Sequence, residues 1–175
     1  MFAFLRAINA GPGRVVKMNV LCEVFESLGF SDVVTFLGSG NVIFETTAKD
    51  VSTLDSKIER RLGRVLGRSV PVFIRTLPEL KKIAALEPFD DSQIRGASVN
   101  VILLGENLDE RSAAKLMTLR TETDGFRVLG REIYWWRRKK PGTSLFATVP
   151  LPKVLREPFT VRSTNTIRKL VAKWQ

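Results

Sequence analysis

Residues 33–45, VVTFLGSGNVIFE, contain two β-rich runs, 33–37 and 41–45, on either side of a glycine turn. Consecutive β-rich runs joined by a tight turn pair as antiparallel strands. On either side of this hairpin, the periodicity predicts a strand at 2–9, helices at 17–29 and 52–66, a strand at 70–75 and a helix at 77–86. The order β-α-β-β-α-β followed by one helix is typical of a ferredoxin-like unit.

The same order of elements begins again after a connector at 89–98. The predicted elements are strands at 99–104, 126–129 and 132–137, with helices at 108–120 and 164–174. We therefore predict an α+β protein in which two ferredoxin-like halves, 1–88 and 99–175, pack together. The second half is predicted to be a degenerate copy that ends in a C-terminal helix.

The amino-acid composition excludes several classes of protein and of active site. The chain has 175 residues, of which 44% are hydrophobic and 26% charged, as in ordinary globular proteins. No apolar run is long enough to span a bilayer, and no signal peptide is evident, so we expect a cytoplasmic protein without a membrane partner. Histidine is absent and Cys22 is the single cysteine, which excludes imidazole-based triads, an internal disulfide and most zinc sites. We predict no metal and no cofactor, an unreactive Cys22, and leave open whether the chain is an enzyme.

The charge is unevenly distributed along the chain. Residues 127–175 hold twelve Lys and Arg against two acids, whereas residues 1–88 carry a net charge of +3 and residues 89–126 a net charge of −3. A block of this kind favours an anionic partner more strongly than a uniformly basic surface does.

Several stretches together resemble one known family: LRAINAGPGRVVKM, LGFSDVVTFLGSGNVIFE, VPVFIR, EPF and TVRSTNTIRKL. They are similar to the bacterial family designated domain of unknown function 1697. The resemblance implies two ferredoxin-like halves side by side, in a small cytoplasmic bacterial protein, and no established activity. This chain departs from the family in having Ala7 where a glycine is usual and Thr164 where a tryptophan is common.

The glycine-proline-glycine turn at 11–13 is the first candidate site. It matches neither the phosphate-binding P-loop, which needs G-x-x-x-x-G-K-S/T, nor the dinucleotide pattern G-x-G-x-x-G. Arg6 and Asn9 at the end of a strand and Lys17 at the start of a helix remain as candidate anion ligands. The alternative is a plain corner in the chain.

Ser39-Gly40-Asn41 forms the second candidate, because the family resemblance places these residues among its signature positions. The alternative is ordinary turn chemistry, since glycine and asparagine tolerate positive φ and serine bonds local backbone. We expect this turn at the end of the sheet opposite the glycine loop, so that the two share no site unless the halves bring them together.

TVRSTNTIRK (160–169) opens the last predicted helix and is the third candidate. Arg162, Asn165 and Thr166 beside unpaired helix amides could bind a phosphate or carboxylate. Helix capping alone, which needs a single side chain, is the alternative.

Basic residues form two further features. YWWRRKK (134–140) interleaves aromatic and basic side chains as nucleic-acid surfaces do, which makes Trp135, Arg137, Arg138, Lys139 and Lys140 candidate nucleic-acid contacts. The alternative is a strand with a core tryptophan that runs out into a loop. A second set, at helical spacing on the second helix, is predicted to be a solvated face: Lys57, Arg61, Arg64 and Arg68.

Two functions follow from these patterns. The first is a module that binds a polyanion, with nucleic acid favoured, through the basic C-terminal region. The second is an enzyme or sensor for a small phosphorylated ligand or nucleotide, held at the glycine loop and the Ser/Thr/Asn clusters.

Overall fold

The computed structural model describes residues 1–9, 15–48, 52–138 and 149–174. The chain divides into two compact units, Met1–Leu80 and Lys81–Gln175. This division falls inside a helix, and the boundaries at 88 and 98 expected from the sequence stay a prediction. The turn at 11–13 and the predicted loop at 139–144 lie outside the described residues.

The first unit contains a four-stranded antiparallel sheet with strand order β2-β3-β1-β4. Its elements are β1 (Phe2–Leu5), α1 (Met18–Glu26), β2 (Ser31–Phe36), β3 (Asn41–Glu45), α2 (Leu54–Leu66) and β4 (Val72–Arg75). Helix α3 (Leu77–Ala85) follows and contains the division between the units.

Alternation along the strands produces the core of the first unit. Successive side chains of a strand point to opposite faces of a sheet. Ala3 and Leu5 of β1 share one buried cluster with Phe44 of β3, Phe25 of α1 and Ile58 of α2. The aromatic rings of Phe25 and Phe44 meet edge to face, with centroids 5.3 Å apart. Both helices therefore cover the same face of the sheet.

The second unit contains another four-stranded antiparallel sheet, with strand order β6-β7-β5-β8. Its elements are α4 (Asp91–Ile94), β5 (Ser98–Leu104), α5 (Glu110–Met117), β6 (Asp124–Leu129), β7 (Glu132–Arg137), α6 (Leu151–Leu155), β8 (Phe159–Ser163) and α7 (Thr164–Lys173). Strands β5 to β8 occupy the same places in this sheet as β1 to β4 do in the first. The core includes Ile102, Phe126, Trp135, Leu151 and Phe159, with Phe126 stacked on Trp135 at 5.8 Å between ring centroids.

The structure confirms the α+β class and corrects several details. The second sheet is as complete as the first, whereas the sequence predicted a degenerate copy without β8 or α6. The hydroxyl-rich stretch that ends β8 resembles a helix start, and the five-residue α6 is too short to show a helical period. Helix α2 begins after Thr53, which makes no side-chain capping bond.

Among the helices within the described ranges, none is long and apolar enough to cross a membrane.

Candidate functional site

The end of β1 meets the turn between β2 and β3. The Leu5 N–H donates a hydrogen bond of 2.7 Å to the Gly40 carbonyl. The prediction that these two connections lie at opposite ends of the sheet is therefore wrong. Since β1 and β2 are each antiparallel to β3, they run in the same direction and end on the same side.

Asn9 fastens the two connections together. Its amide nitrogen donates to the Gly38 carbonyl at 3.1 Å, and its Oδ1 accepts the Val16 N–H at 2.7 Å. One side chain thus ties the β1–α1 connection to the β2–β3 turn. Asn9 was predicted to bind a ligand, and both of these hydrogen bonds join its side chain to backbone groups of the protein.

Asn41 and Gly40 shape the turn from inside. Asn41 is 1% exposed, and its amide donates to the Phe36 carbonyl at 3.0 Å and to the Ser39 hydroxyl at 2.8 Å. Gly40 has φ +73°, and a Cβ there would lie 2.7 Å from Cγ2 of Ile8. Turn formation accounts for both residues, while Ser39 is exposed.

A third connection, between α2 and β4, reaches the same end of the sheet. The Arg68 guanidinium donates to the Ile8 carbonyl at 2.8 Å, and the Arg6 N–H donates to the Pro71 carbonyl at 2.9 Å. We call the region formed by residues 6–9, 15–17, 37–41 and 67–71 the basic end of the first unit. Sequence reasoning placed Arg68 only in a helical stripe, because its partner lies sixty positions away.

The basic end has a one-sided charge. The connections 6–17, 37–40 and 67–71 contain Arg6, Lys17 and Arg68, together with Arg14 outside the described residues, and no Asp or Glu. Lys17 is exposed and precedes α1 without a side-chain capping bond. Glu59 of α2 accepts the Val72 N–H at 2.7 Å nearby, and burial raises the pKa of its carboxyl. The field at this end therefore favours an anion.

The basic stripe on α2, predicted to be a solvated face, also makes contacts with the end of α1. Lys57 donates to the Leu28 carbonyl at 3.1 Å and lies over the Phe30 ring at 5.3 Å. Arg61 donates to the Ser27 hydroxyl at 3.0 Å. These cations satisfy groups at the C-terminus of α1, where the helix dipole favours positive charge. Lys57 and Arg64 are exposed, whereas Arg61 and Arg68 are half-buried.

The third candidate stretch divides between β8 and the start of α7. Ser163 caps α7 by accepting the Thr166 N–H at 3.1 Å, and the two hydroxyls lie 2.9 Å apart. Arg162, which lies on β8, donates to the Thr160 hydroxyl at 2.7 Å and the Val161 carbonyl at 2.8 Å. Burial lowers the pKa of Arg162 to about 10. The bond between Ser163 and Thr166 is the one expected for helix capping, which was the alternative to a binding site. Asn165 is exposed.

The YWWRRKK stretch is mostly committed to the structure of the second unit. Trp135 is fully buried, and its indole N–H donates to Asp124 at 2.9 Å. Arg137 is 2% exposed, with Nε 3.6 Å from the same carboxylate. The predicted contacts of Trp135 and Arg137 with a nucleic acid therefore need correction, because neither side chain reaches the surface.

Arg138 is also held by contacts within the second unit. Its guanidinium donates to the Glu122 carbonyl at 2.8 Å and to the Gln93 carbonyl at 2.9 Å, and it lies over the Trp136 ring at 4.9 Å. Lys139 and Lys140 lie outside the described residues. Of the predicted nucleic-acid contacts, the described part of the chain thus leaves none as a simple solvated cation.

No group of three Cys, Asp or Glu residues that could hold a metal ion occurs in the described ranges. The basic end also lacks a carboxylate or thiol that could act as a nucleophile within its connections. Its connections supply hydrogen-bond donors and positive charge, which suit an anionic ligand.

Comparison with known proteins identifies the relatives of this chain. A family model described as "Protein of unknown function (DUF1697)" matches residues 1–134. No curated protein matches the chain in sequence. The solved structure of the conserved bacterial protein SP0830 from Streptococcus pneumoniae is similar to this chain, with a TM-score of 0.73 and 21% sequence identity. The similarity covers 99% of this chain and 97% of that one, and at this identity it supports the fold alone. The chain belongs to the DUF1697 family of proteins of unknown function.

Proposed function

We propose that the protein binds a small anionic ligand, such as a phosphorylated metabolite or nucleotide, at the basic end of the first unit. The observation that carries this proposal is the convergence of three connections with Arg6, Lys17 and Arg68 but no carboxylate. Separate connections held together by backbone bonds provide a rigid support for such charges.

The electrostatics support the choice of an anion. The start of α1 adds the partial positive charge of its unpaired N–H groups, since no side chain caps the helix. Lys17 stands at that helix start with an exposed side chain. A phosphate there would meet a point charge and helix amides together.

Nucleic acid is the second candidate, and the charge surplus of residues 127–175 supports it. Exposed cations remain in this segment at Lys153, Arg156, Arg168, Lys169 and Lys173. We rank it below the small ligand because Trp135, Arg137 and Arg138 are engaged in internal contacts.

Calorimetry with inorganic phosphate, ATP and GTP tests the first candidate. We expect Lys17→Gln to weaken binding about tenfold, the size of one lost charge-assisted hydrogen bond. Lys115→Gln removes the same charge from the exposed face of α5 in the other unit and is expected to bind like the wild type. Equal affinity for both variants, or no heat with any of the three anions, would overturn the proposal.

The nucleic-acid candidate is tested separately with oligonucleotides at several salt concentrations. Each neutralised phosphate contributes a slope of about −0.9 for duplex, or about −0.7 for single strands, in log K against log salt. Replacing Lys139 and Lys140 by glutamine is expected to flatten the slope by one or two such increments. These lysines are preferred to Arg137 and Arg138, whose replacement would damage the fold.

We also propose that each unit has the ferredoxin-like topology. The supporting observation is the shared strand order, β2-β3-β1-β4 and β6-β7-β5-β8, with the edge strands reached through helices. The expected compartment remains the cytoplasm.

A further inference from the structure

The second unit has a depression of about 510 Å³, in the size range of sites for small organic molecules. It is bounded by the segment 88–93, by Arg120 and Thr121 after α5, and by the start of β6 with Trp136 of β7. None of the candidate site residues predicted from the sequence lines it, and it shares no residue with the basic end of the first unit.

Trp136 forms part of its wall. Gly125 faces Trp136 in the β6–β7 register, and a Cβ on Gly125 would lie 2.2 Å from the indole nitrogen. The ring therefore occupies the space that any other side chain at 125 would fill. Trp136 is 7% exposed, and its indole N–H makes no hydrogen bond within the described part of the chain. An indole N–H at the wall of a cavity, without a partner among the described residues, is suited to bind an acceptor on a ligand.

Two arginines supply further donors. One guanidinium nitrogen of Arg120 donates to the Phe126 carbonyl at 2.7 Å, and one of Arg127 donates to the Pro88 carbonyl at 3.1 Å. Each guanidinium carries five N–H donors, so these anchors hold the groups in place and leave other N–H donors for a ligand. Both side chains are exposed and line the depression.

The acidic residues do not cancel this charge. Asp124 accepts bonds from Trp135 and Thr123 and is paired with buried Arg137, so its charge is already compensated. Asp90 is exposed at the start of α4, as Arg120 and Arg127 are, so solvent screens all three charges. With Asp124 compensated by Arg137, the lining has two arginines, Arg120 and Arg127, against one remaining acid, Asp90, which is a net charge of +1.

The lining also has an apolar part. Pro88 and Phe89 are half-buried and line the depression together with Trp136. Aromatic and proline surfaces favour a flat apolar group, while the indole and guanidinium N–H groups favour a carboxylate or phosphate. We propose that this depression binds a small organic anion in which a carboxylate or phosphate is attached to an aromatic or other flat apolar body.

Proton–nitrogen NMR of the intact chain tests the proposal through its three tryptophan indole signals. Benzoate and phenyl phosphate are the probes, and benzamide is the matched neutral control. We expect the Trp136 indole signal, identified by its loss in Trp136→Phe, to shift in a saturable way with either anion. Dissociation constants of about 1 mM are expected for ligands of this size. Benzamide is expected to leave the signal in place.

Two single substitutions test whether Arg120 and Arg127 bind the anion. Arg120→Gln and Arg127→Gln are each expected to weaken benzoate binding about tenfold, whereas Arg111→Gln, an equal charge change on exposed α5, is expected to have no effect. Unchanged affinity in both test variants would overturn the proposal, as would equal binding of benzamide or an unmoved Trp136 signal at about 10 mM probe. Unchanged chemical shifts elsewhere in each variant verify that it is folded.

Discussion

The indole N–H of Trp135 donates a hydrogen bond of 2.9 Å to the carboxylate of Asp124, and both side chains lie inside the second unit, 0% and 2% exposed. Arg137 completes the arrangement, with Nε 3.6 Å from the same carboxylate and its guanidinium 5.5 Å from the centre of the Trp135 ring. The first and last residues of paired strands β6 and β7 are thereby joined through their side chains.

Replacing Asp124 is expected to be costly. Asp124→Ala leaves Arg137 buried without its anion and removes the acceptor of the Trp135 indole, and such losses cost about 3–5 kcal/mol. Asp124→Asn keeps an acceptor for the indole but not the charge, so we expect an intermediate loss. Urea unfolding measures the free energies, with Asp91→Asn on exposed α4 as the control. If Asp124→Ala lowered the free energy of unfolding no more than Asp91→Asn does, the Asp124 carboxylate would not be the partner of Trp135 and Arg137.

Gly125→Ala is expected to destabilise the second unit by about 1–3 kcal/mol, because the added methyl group overlaps the Trp136 indole. Gly105→Ala is the matched control, since a Cβ there meets nothing within 4 Å. Shortening the neighbour should rescue the fold: Gly125→Ala combined with Trp136→Leu should lose less than the sum of the two single changes. Strict additivity in this double-mutant cycle would show that the two residues do not compete for space.

Arg138→Gln is expected to lower stability by about 1–2 kcal/mol, because the backbone carbonyls of Glu122 and Gln93 lose their charged donor. Arg138→Lys should recover little, since one ammonium cannot reproduce the fixed fork of a guanidinium. Thermal unfolding measures both, with Arg111→Gln as the control for loss of a surface charge. If Arg138→Gln matched that control, Arg138 would return to the set of available surface cations.

Ala7 has φ +48°, a left-handed conformation that is unfavourable for alanine. This is the position at which the family usually has glycine. We expect Ala7→Gly to raise stability by up to about 1 kcal/mol, since relief of the backbone strain exceeds the entropy gained by the unfolded chain. Ala172→Gly at an exposed position of α7 should have the opposite sign, losing about 1 kcal/mol. A loss of stability in both variants would contradict the strained conformation of Ala7.

Cys22 is expected to react slowly with thiol reagents. Its side chain is half-buried, and burial, followed by the charges of Glu26 and Glu23, raises the pKa of the thiol. Because the thiolate is the reactive form, labelling of the folded chain should begin at higher pH than labelling of the same chain in urea. Absorbance of a released chromophore follows both rates. Equal rates at pH 7.5 would argue for an exposed, ordinary thiol.

The α+β class and most of the helices and strands could be predicted from the amino-acid sequence, because hydrophobic periodicity is a local property. The hairpin at 33–45 illustrates this: β3 begins and ends where its β-rich run does, at Asn41 and Glu45. The surplus of positive charge, the absence of histidine and the family resemblance can also be read directly from the sequence. Short elements could not be predicted in this way. Helix α6, for example, spans five residues, which is too few to show a helical period.

Tertiary structure alone decided what the polar and basic side chains do. Asn9 bonds Gly38, Arg68 bonds Ile8, and Arg138 bonds carbonyls far from it in sequence, and no local pattern encodes such partners. The same holds for Trp136, whose place against Gly125 depends on strand register. A basic or aromatic residue type fixes only which bonds are possible, whereas burial and chain topology decide which of them form.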